Sequence, residues 1–176
     1  RTSGKRMSWS GTVEQVTTNE IQNSIGSKKT LLSFAIILPR YEFIIRVQQN
    51  HRTFALGSVF SLGYYTQERM WPVCLRQLWG SIGSDFEVLV DGRRIGFIDG
   101  VLFALGSDSY VELHDHELGQ DAKFAELLTL FAASVGYHKA MRRSTKKRIA
   151  ACKSGDWKAC SLHSEELSIF KNGRAA

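Results

Sequence analysis

The amino-acid sequence predicts an α+β fold. A small antiparallel, β-barrel-like sheet comes first, then an antiparallel β-meander packed on a long helix that is apolar at first and basic later, and a short terminal helix. Three observations carry this expectation. Between residues 9 and 113, short runs of alternating apolar residues are broken by glycine, proline and Asp-Gly pairs, the pattern of strands joined by tight turns. From residue 121 the period changes: Phe124, Leu127, Leu128, Phe131 and Val135 recur at helical spacing. Behind them the stretch from Lys139 to Lys153 holds seven basic groups and no acidic one.

Taken in order, the opening RTSGKR (residues 1–6) is polar and aperiodic and reads as a cloning remnant; setting it aside lowers the net charge from +6 to +3. Trp9 to Val16 reads as a strand, with Gly11, Val13 and Gln15 on the face of Trp9. The TTNEIQNSIGSKK that follows reads as a long, turn-rich loop. Thr30 to Leu38 and Tyr41 to Val47 are two strands interrupted at Pro39-Arg40, because proline cannot donate to a ladder. Phe54 to Tyr65 is a fourth strand, with Gly57 and Gly63 as bends or bulges. Met70 to Leu78 is a fifth, which Pro72 assigns to an edge. Five short strands with glycines at the bends resemble a small barrel of the OB or SH3 kind in architecture.

Phe86 to Val90 and Arg94 to Ile98 flank Asp91-Gly92, the favoured pair for a two-residue type I′ hairpin turn. Asp99-Gly100 is read as a second such turn, leading into Val101 to Leu105, and Tyr110 to Leu113 follows the turn Gly106-Ser107-Asp108. Asp121 is placed to cap the long helix with its carboxylate. Leu130, Ala132, Ala133 and Tyr137 widen its apolar arc beyond one stripe. Such a helix has to be covered on most sides: by a groove of the meander, by a dimer seam, or by a barrel, as the central helix of tubby-like folds is. Gly136 is a kink site and Gly155 a stop. Ser164 caps a terminal helix bearing Glu165, Glu166, Leu167 and Phe170. The domain expectation is a β-barrel-like unit over 8–79 and a meander-plus-helix unit over 80–176, or the two as one continuous domain.

At 43% apolar and 23% charged over 176 residues, the chain has the composition of an ordinary folded protein. Phe124 to Tyr137 carries Glu126, Thr129 and Ser134, so no run reaches the roughly 18 apolar residues of a membrane span. No leader pattern is present, and a cytoplasmic location is expected. Cys74, Cys152 and Cys160 are odd in number and widely spaced, which predicts reduced thiols rather than a disulfide framework or a zinc site, with a bond between Cys152 and Cys160 across a helix end as the lesser alternative. Charge is segmental. Residues 80–138 hold three basic groups against ten acidic ones, and residues 139–153 hold all of one sign.

That basic stretch is the first candidate site. Lys139, Arg142, Arg143, Lys146, Lys147 and Arg148 on a helix would gain by meeting phosphates through Coulomb attraction and counterion release; the competing reading is a solvated face, or one neutralised by the acidic meander. Tyr64 and Trp71, among the arginines of the first half, are candidates for stacking on bases, against the commoner fate of aromatics in a core. His114 and His116 would share a face of an extended strand and could chelate a divalent ion, although a polar loop entering the helix explains the same residues. No phosphate-binding loop, dinucleotide fingerprint or nucleophile elbow occurs, so no catalytic residues and no cofactor are assigned. Ser134 and His138 read as ordinary helix surface. The expectation is therefore a small non-enzymatic protein that binds nucleic acid through the basic helix. Two alternatives are an interaction module of inhibitor or immunity type that forms a homodimer, and a β-barrel that takes a small apolar ligand beside the apolar helix. No membrane partner is expected.

Overall fold

The computed structural model describes residues 11–27, 29–51, 57–80, 85–100, 109–114 and 116–156. The expectations for the opening remnant, Trp9, Phe54, the strand Val101 to Leu105, the turn at 106–108, Cys160 and the helix after Ser164 lie outside them. Eight strands form one antiparallel sheet in sequential order: β1 (Thr12–Gln15), β2 (Ser33–Ile37), β3 (Ile45–Gln49), β4 (Val59–Tyr65), β5 (Met70–Gln77), β6 (Phe86–Val90), β7 (Arg93–Gly100) and β8 (Ser109–Leu113). Among the described residues three helices accompany it: α1 (Thr17–Ser24), α2 (Ala122–Val135) and α3 (His138–Lys153), with a 3-10 turn at Glu117–Gln120 before α2. The α+β character is as expected. The barrel is not: the sheet is open, and β5 at the end of the first half pairs with β6 at the start of the second, Val73 opposite Val90.

Side-chain parity sets the two faces of the sheet. Phe34, Ile36, Ile45, Val47, Phe60, Leu62, Tyr64, Trp71, Val73 and Leu75 point inward, and Phe86, Val88, Val90 and Ile98 continue the same face. Against it lies α2, whose Phe124, Leu127, Leu128 and Phe131 have no exposed surface at all. Both edge strands, β1 and β8, touch α2, while ring contacts of 5.2 Å between Phe60 and Phe131 and 5.1 Å between Tyr64 and Phe124 join it to the middle of the sheet. The sheet is thus curled around the helix without closing. Close approach at the first edge needs glycine: a Cβ on Gly11, whose φ is +132°, would stand 2.6 Å from the Ile37 carbonyl and 2.7 Å from a Leu130 methyl.

Several local expectations hold for their stated reasons. Asp91 and Gly92 have φ of 50° and 77°, both in the left-handed region that a type I′ turn demands. Asp121 caps α2, its Oδ1 accepting from Lys123 N at 2.8 Å and Phe124 N at 3.4 Å. The helix breaks at Gly136-Tyr137 into α2 and α3, and α3 stops before Gly155, whose φ is +83°.

Others are corrected. The turn-rich loop is α1, a polar helix that packs on β2 and α3. Pro72 lies in a central strand; it is tolerated because β6 ends at Val90 opposite Val73, so its missing N–H faces no ladder partner there. Gly63 makes no bulge, standing in regular register opposite Pro72. Asp99-Gly100 does not turn, for β7 runs through it and pairs Asp99 with Tyr110 and Gly100 with Ser109. The strand expected from Tyr41 begins at Ile45. Cys74 forms no disulfide, but Cys152 is disulfide-bonded, against the expectation of reduced thiols.

If the curl around α2 is what stabilises the fold, Phe131→Ala is expected to cost about 3–5 kcal/mol, the range for emptying a fully buried ring site. Urea unfolding at neutral pH measures it. A loss below about 1 kcal/mol would mean that this ring is not enclosed by the sheet.

Candidate functional site

The position of α3 follows from one buried carboxylate. Glu20, in α1, has no exposed surface. Its Oε1 accepts from Ser33 N on β2 at 3.1 Å, and its Oε2 accepts from Gln15 Nε2 on β1 at 2.6 Å and from the Thr145 hydroxyl on α3 at 2.5 Å. Thr145 is itself fully buried, and Gln15 also donates to its hydroxyl at 3.2 Å. Three elements are therefore tied to a helix that has too few apolar residues to hold them by packing.

One turn before Thr145 on the same helix, Arg142 reaches under the rim of the sheet. Its Nη1 donates to the Thr30 carbonyl at 2.7 Å and to Gln49 Oε1 at 2.8 Å, and its Nη2 approaches Ser58 Oγ at 3.4 Å. Gln49 is fixed in turn, its Oε1 accepting from Leu32 N at 3.1 Å and its Nε2 donating to Ser58 Oγ at 3.3 Å. Burial lowers the Arg142 pKa, and the charge of Glu20 opposes that shift. These groups line a depression of about 380 Å³ bounded by Lys29, Thr30, Gln49, Ser58, Arg142 and Lys146. Gly57 completes it, with φ of +90° and the Gln77 carbonyl 3.1 Å from where a Cβ would stand. Its described lining contains no carboxylate.

The remaining cations divide by helical geometry. Lys139, Arg143, Lys146 and Lys147 are exposed, and among the described residues none of them pairs with a carboxylate. Arg148, two residues past Lys146 and so on the far side of an α-helix, is partly buried. The predicted basic run therefore resolves into an exposed strip, a half-buried Arg142 and an Arg148 off the strip. The cations of the outer sheet face are treated differently: Arg76 binds Glu87 at 2.5 Å, and Arg94 lies 3.6 Å from the same carboxylate and stacks over Phe97, while Arg69, in the β4–β5 turn, covers the Trp71 ring at 3.3 Å. A larger hollow of about 530 Å³ on that face has mixed charge, with Arg46 and Asp91 both in its lining.

The predicted stacking residues are in the core. Tyr64 is 1% exposed, its hydroxyl donating to Asp121 Oδ2 at 2.6 Å, and Trp71 is 3% exposed, so neither offers a ring face to a base. Burial and the Asp121 carboxylate raise the Tyr64 pKa. Among the described residues the exposed rings are instead Phe43, Tyr65, Trp79, Tyr110 and Tyr137; Phe43 and Tyr65 stack at 4.8 Å, with Met70 beside them. Parity carried that signal: Phe60, Leu62 and Tyr64 form the apolar series of β4, which leaves Tyr65 outside. Tyr41 fixes Tyr65, its hydroxyl accepting from Tyr65 N and donating to Tyr65 O at 2.8 Å each, and burial pushes its pKa up to about 12.

The two histidines of the metal expectation lie against different rings, His114 on Phe97 and His116 on Trp71, and His116 Nδ1 already accepts from Leu118 N at 3.1 Å. Among the described residues no group of three or more side chains is arranged to hold a metal ion. Ser134 and His138 are not helix surface. His138 is stacked on Phe34 at 5.3 Å, its Nε2 is 3.4 Å from Ser134 Oγ, and burial, with the nearby Arg142 charge, pushes its pKa down to about 3.

Sequence reasoning missed Glu20, Lys29, Gln49 and Ser58. Nothing in their local sequence marks them, since each acts through a partner distant in the chain. Among the described residues no helix is long and apolar enough to cross a membrane. The chain matches no protein-family model, no curated protein and no solved structure.

The His138 shift has a definite sign. With the folded pKa near 3 and the ordinary value at 6.5, the unfolded chain binds a proton that the folded chain refuses at any pH between them. This contribution to stability is complete above pH 6.5 and is lost as pH falls, with a slope of up to about 1.4 kcal/mol per pH unit. Comparing His138→Gln with the parent by urea unfolding at pH 7, 5.5 and 4.5 isolates it. The parent is expected to lose stability faster on acidification, and parallel pH profiles would show that His138 is not the group responsible.

Proposed function

We propose that this is a non-enzymatic nucleic-acid-binding protein that meets the phosphate backbone with the exposed face of α3. One observation carries the reading: Lys139, Arg143, Lys146 and Lys147 are exposed without carboxylate partners among the described residues, beside a depression whose described lining holds Lys29, Arg142 and Lys146 and no acid. Elsewhere on the molecule, Glu87 answers Arg76 and Arg94, so counter-charge is available where the fold uses it. Cations held close together repel one another. Phosphates relieve that repulsion and release their condensed counterions, which makes the contact favourable and steeply dependent on salt. The exposed strip consists of cations, which supports contact with the phosphate backbone, and the exposed ring of Tyr137 stands at its N-terminal end, at the N-cap of α3.

A second reading, self-association, is favoured by a separate feature. Phe43, Tyr65 and Met70 are 40%, 39% and 49% exposed and lie together near Gly63, an apolar patch on the opposite side of the sheet from α2. Light scattering at low and high salt separates the two readings, since an apolar contact survives salt and a phosphate contact does not.

Fluorescence anisotropy with a labelled oligonucleotide between 50 and 200 mM salt tests the first reading. Affinity is expected to fall linearly on a log–log plot. Changing Lys139, Arg143, Lys146 and Lys147 together to Ala should flatten the slope by about three to four units, roughly one per lost phosphate contact, without shifting thermal unfolding. Elution of the parent protein from heparin at trivial salt would remove the proposal.

A further inference from the structure

The guanidinium of Arg142 is only partly used. Arginine has five N–H donors, of which Nη1 spends two on Thr30 O and Gln49 Oε1 and Nη2 spends one on Ser58 Oγ. Nε–H and the second Nη2–H have no acceptor among the described residues. All three acceptors in hand are neutral, and Glu20 acts on the guanidinium only through its field, so a half-buried cation is held in one place with no counter-ion bonded to it. Leaving such a charge without a bonded counter-ion is unfavourable, and an oxyanion placed against the free donors would supply one. Lys146, one turn further along α3, and Lys29, from the α1–β2 connection, line the same depression.

From this we infer that the depression is a seat for a terminal phosphate, a phosphomonoester at the end of a polynucleotide or on a free nucleotide. The inference rests on the nucleic-acid reading and narrows it. Two features favour a monoester over an internal phosphodiester. The first is charge: a described lining of three cations and no carboxylate suits a group carrying about −1.5 to −2 at neutral pH better than one carrying a single charge. The second is access. Arg142 is recessed, and a volume of about 380 Å³, near the lower end for small-ligand sites, admits one nucleotide end-on rather than a chain with a sugar on both sides of the phosphate. Gln49, Ser58 and Arg142 hold one another in place by hydrogen bonds, which leaves little to order on binding.

The test compares one oligonucleotide with 5′-phosphate, 3′-phosphate or hydroxyl ends by anisotropy at fixed salt, with inorganic phosphate and a nucleoside monophosphate as separate probes by calorimetry. The phosphorylated oligonucleotide is expected to bind at least about tenfold more tightly than its hydroxyl form, and the preference should shrink below pH 6 as the monoester takes up its second proton. Lys29→Ala, on the rim, and Arg142→Lys, which keeps the charge but loses the fork, should each erase the preference. Arg143→Ala should weaken both oligonucleotides alike and leave their ratio unchanged. Should Arg142→Lys fail to fold, as near-ultraviolet circular dichroism would reveal, Lys29→Ala alone decides. Equal binding of phosphorylated and hydroxyl ends overturns the seat and leaves the backbone reading standing. Binding of the monophosphate with no oligonucleotide binding keeps the seat and overturns that reading. Binding of no probe overturns both.

Discussion

A carboxylate with no access to solvent organises the half of this molecule that holds the proposed site. Burying Glu20 would be strongly unfavourable if it stood alone, and it is held by hydrogen bonds from β1, β2 and α3. Those bonds have to be made together. The first strand pair, the polar helix α1 and the basic helix α3 therefore have one mutual arrangement in which the carboxylate is satisfied. In that arrangement, Thr145 faces inward, Arg142 slips beneath the rim at Thr30, and the lysines on the remaining side of the helix are turned to solvent. The apolar core does not impose this. It fixes α2 inside the curl of the sheet but gives α3 few anchors.

The electrostatics of α3 follow from the same placement. Arg142 and Glu20 are both withdrawn from water, and each charge makes the other's burial tolerable without direct contact. His138, one turn before Arg142 and packed among Phe34, Phe60 and Phe131, stays neutral because a proton there would be desolvated and would face the guanidinium. The outer face of the sheet shows the contrasting solution, where Glu87 lies between Arg76 and Arg94 and little unbalanced charge remains. One chain thus contains a neutralised cationic cluster and an unneutralised one. That difference, rather than total basicity, is what the proposed anionic partner of α3 would answer.

How much was legible beforehand varies with the range of the interaction involved. The Asp91-Gly92 hairpin, the Asp121 cap, the break at Gly136 and the stop at Gly155 are decided by backbone chemistry within a few residues, and each could be read directly. Tyr64 and Trp71 were open to misreading because composition placed aromatics among arginines, while the parity of Phe60, Leu62 and Tyr64 in β4, and of Trp71, Val73 and Leu75 in β5, puts them in the core. Helix α1 was invisible for a different reason. Its sequence, TTNEIQNS, has no apolar stripe, and it is held by a buried carboxylate whose partners lie 5, 13 and 125 residues away.

By itself, the sequence determined the α+β class, the strand and helix periods, the chief turns and the one-signed charge of residues 139–153, since all of these are properties of neighbouring residues. Only the tertiary structure decided that the eight strands form one open sheet curled on α2, and that α1 is a helix at all. It also decided which of the basic side chains remain in water and which is recessed beside Lys29. The reason is physical: burial, and with it the cost or benefit of a charge, depends on groups brought together across more than a hundred residues of chain, and no local pattern encodes that distance.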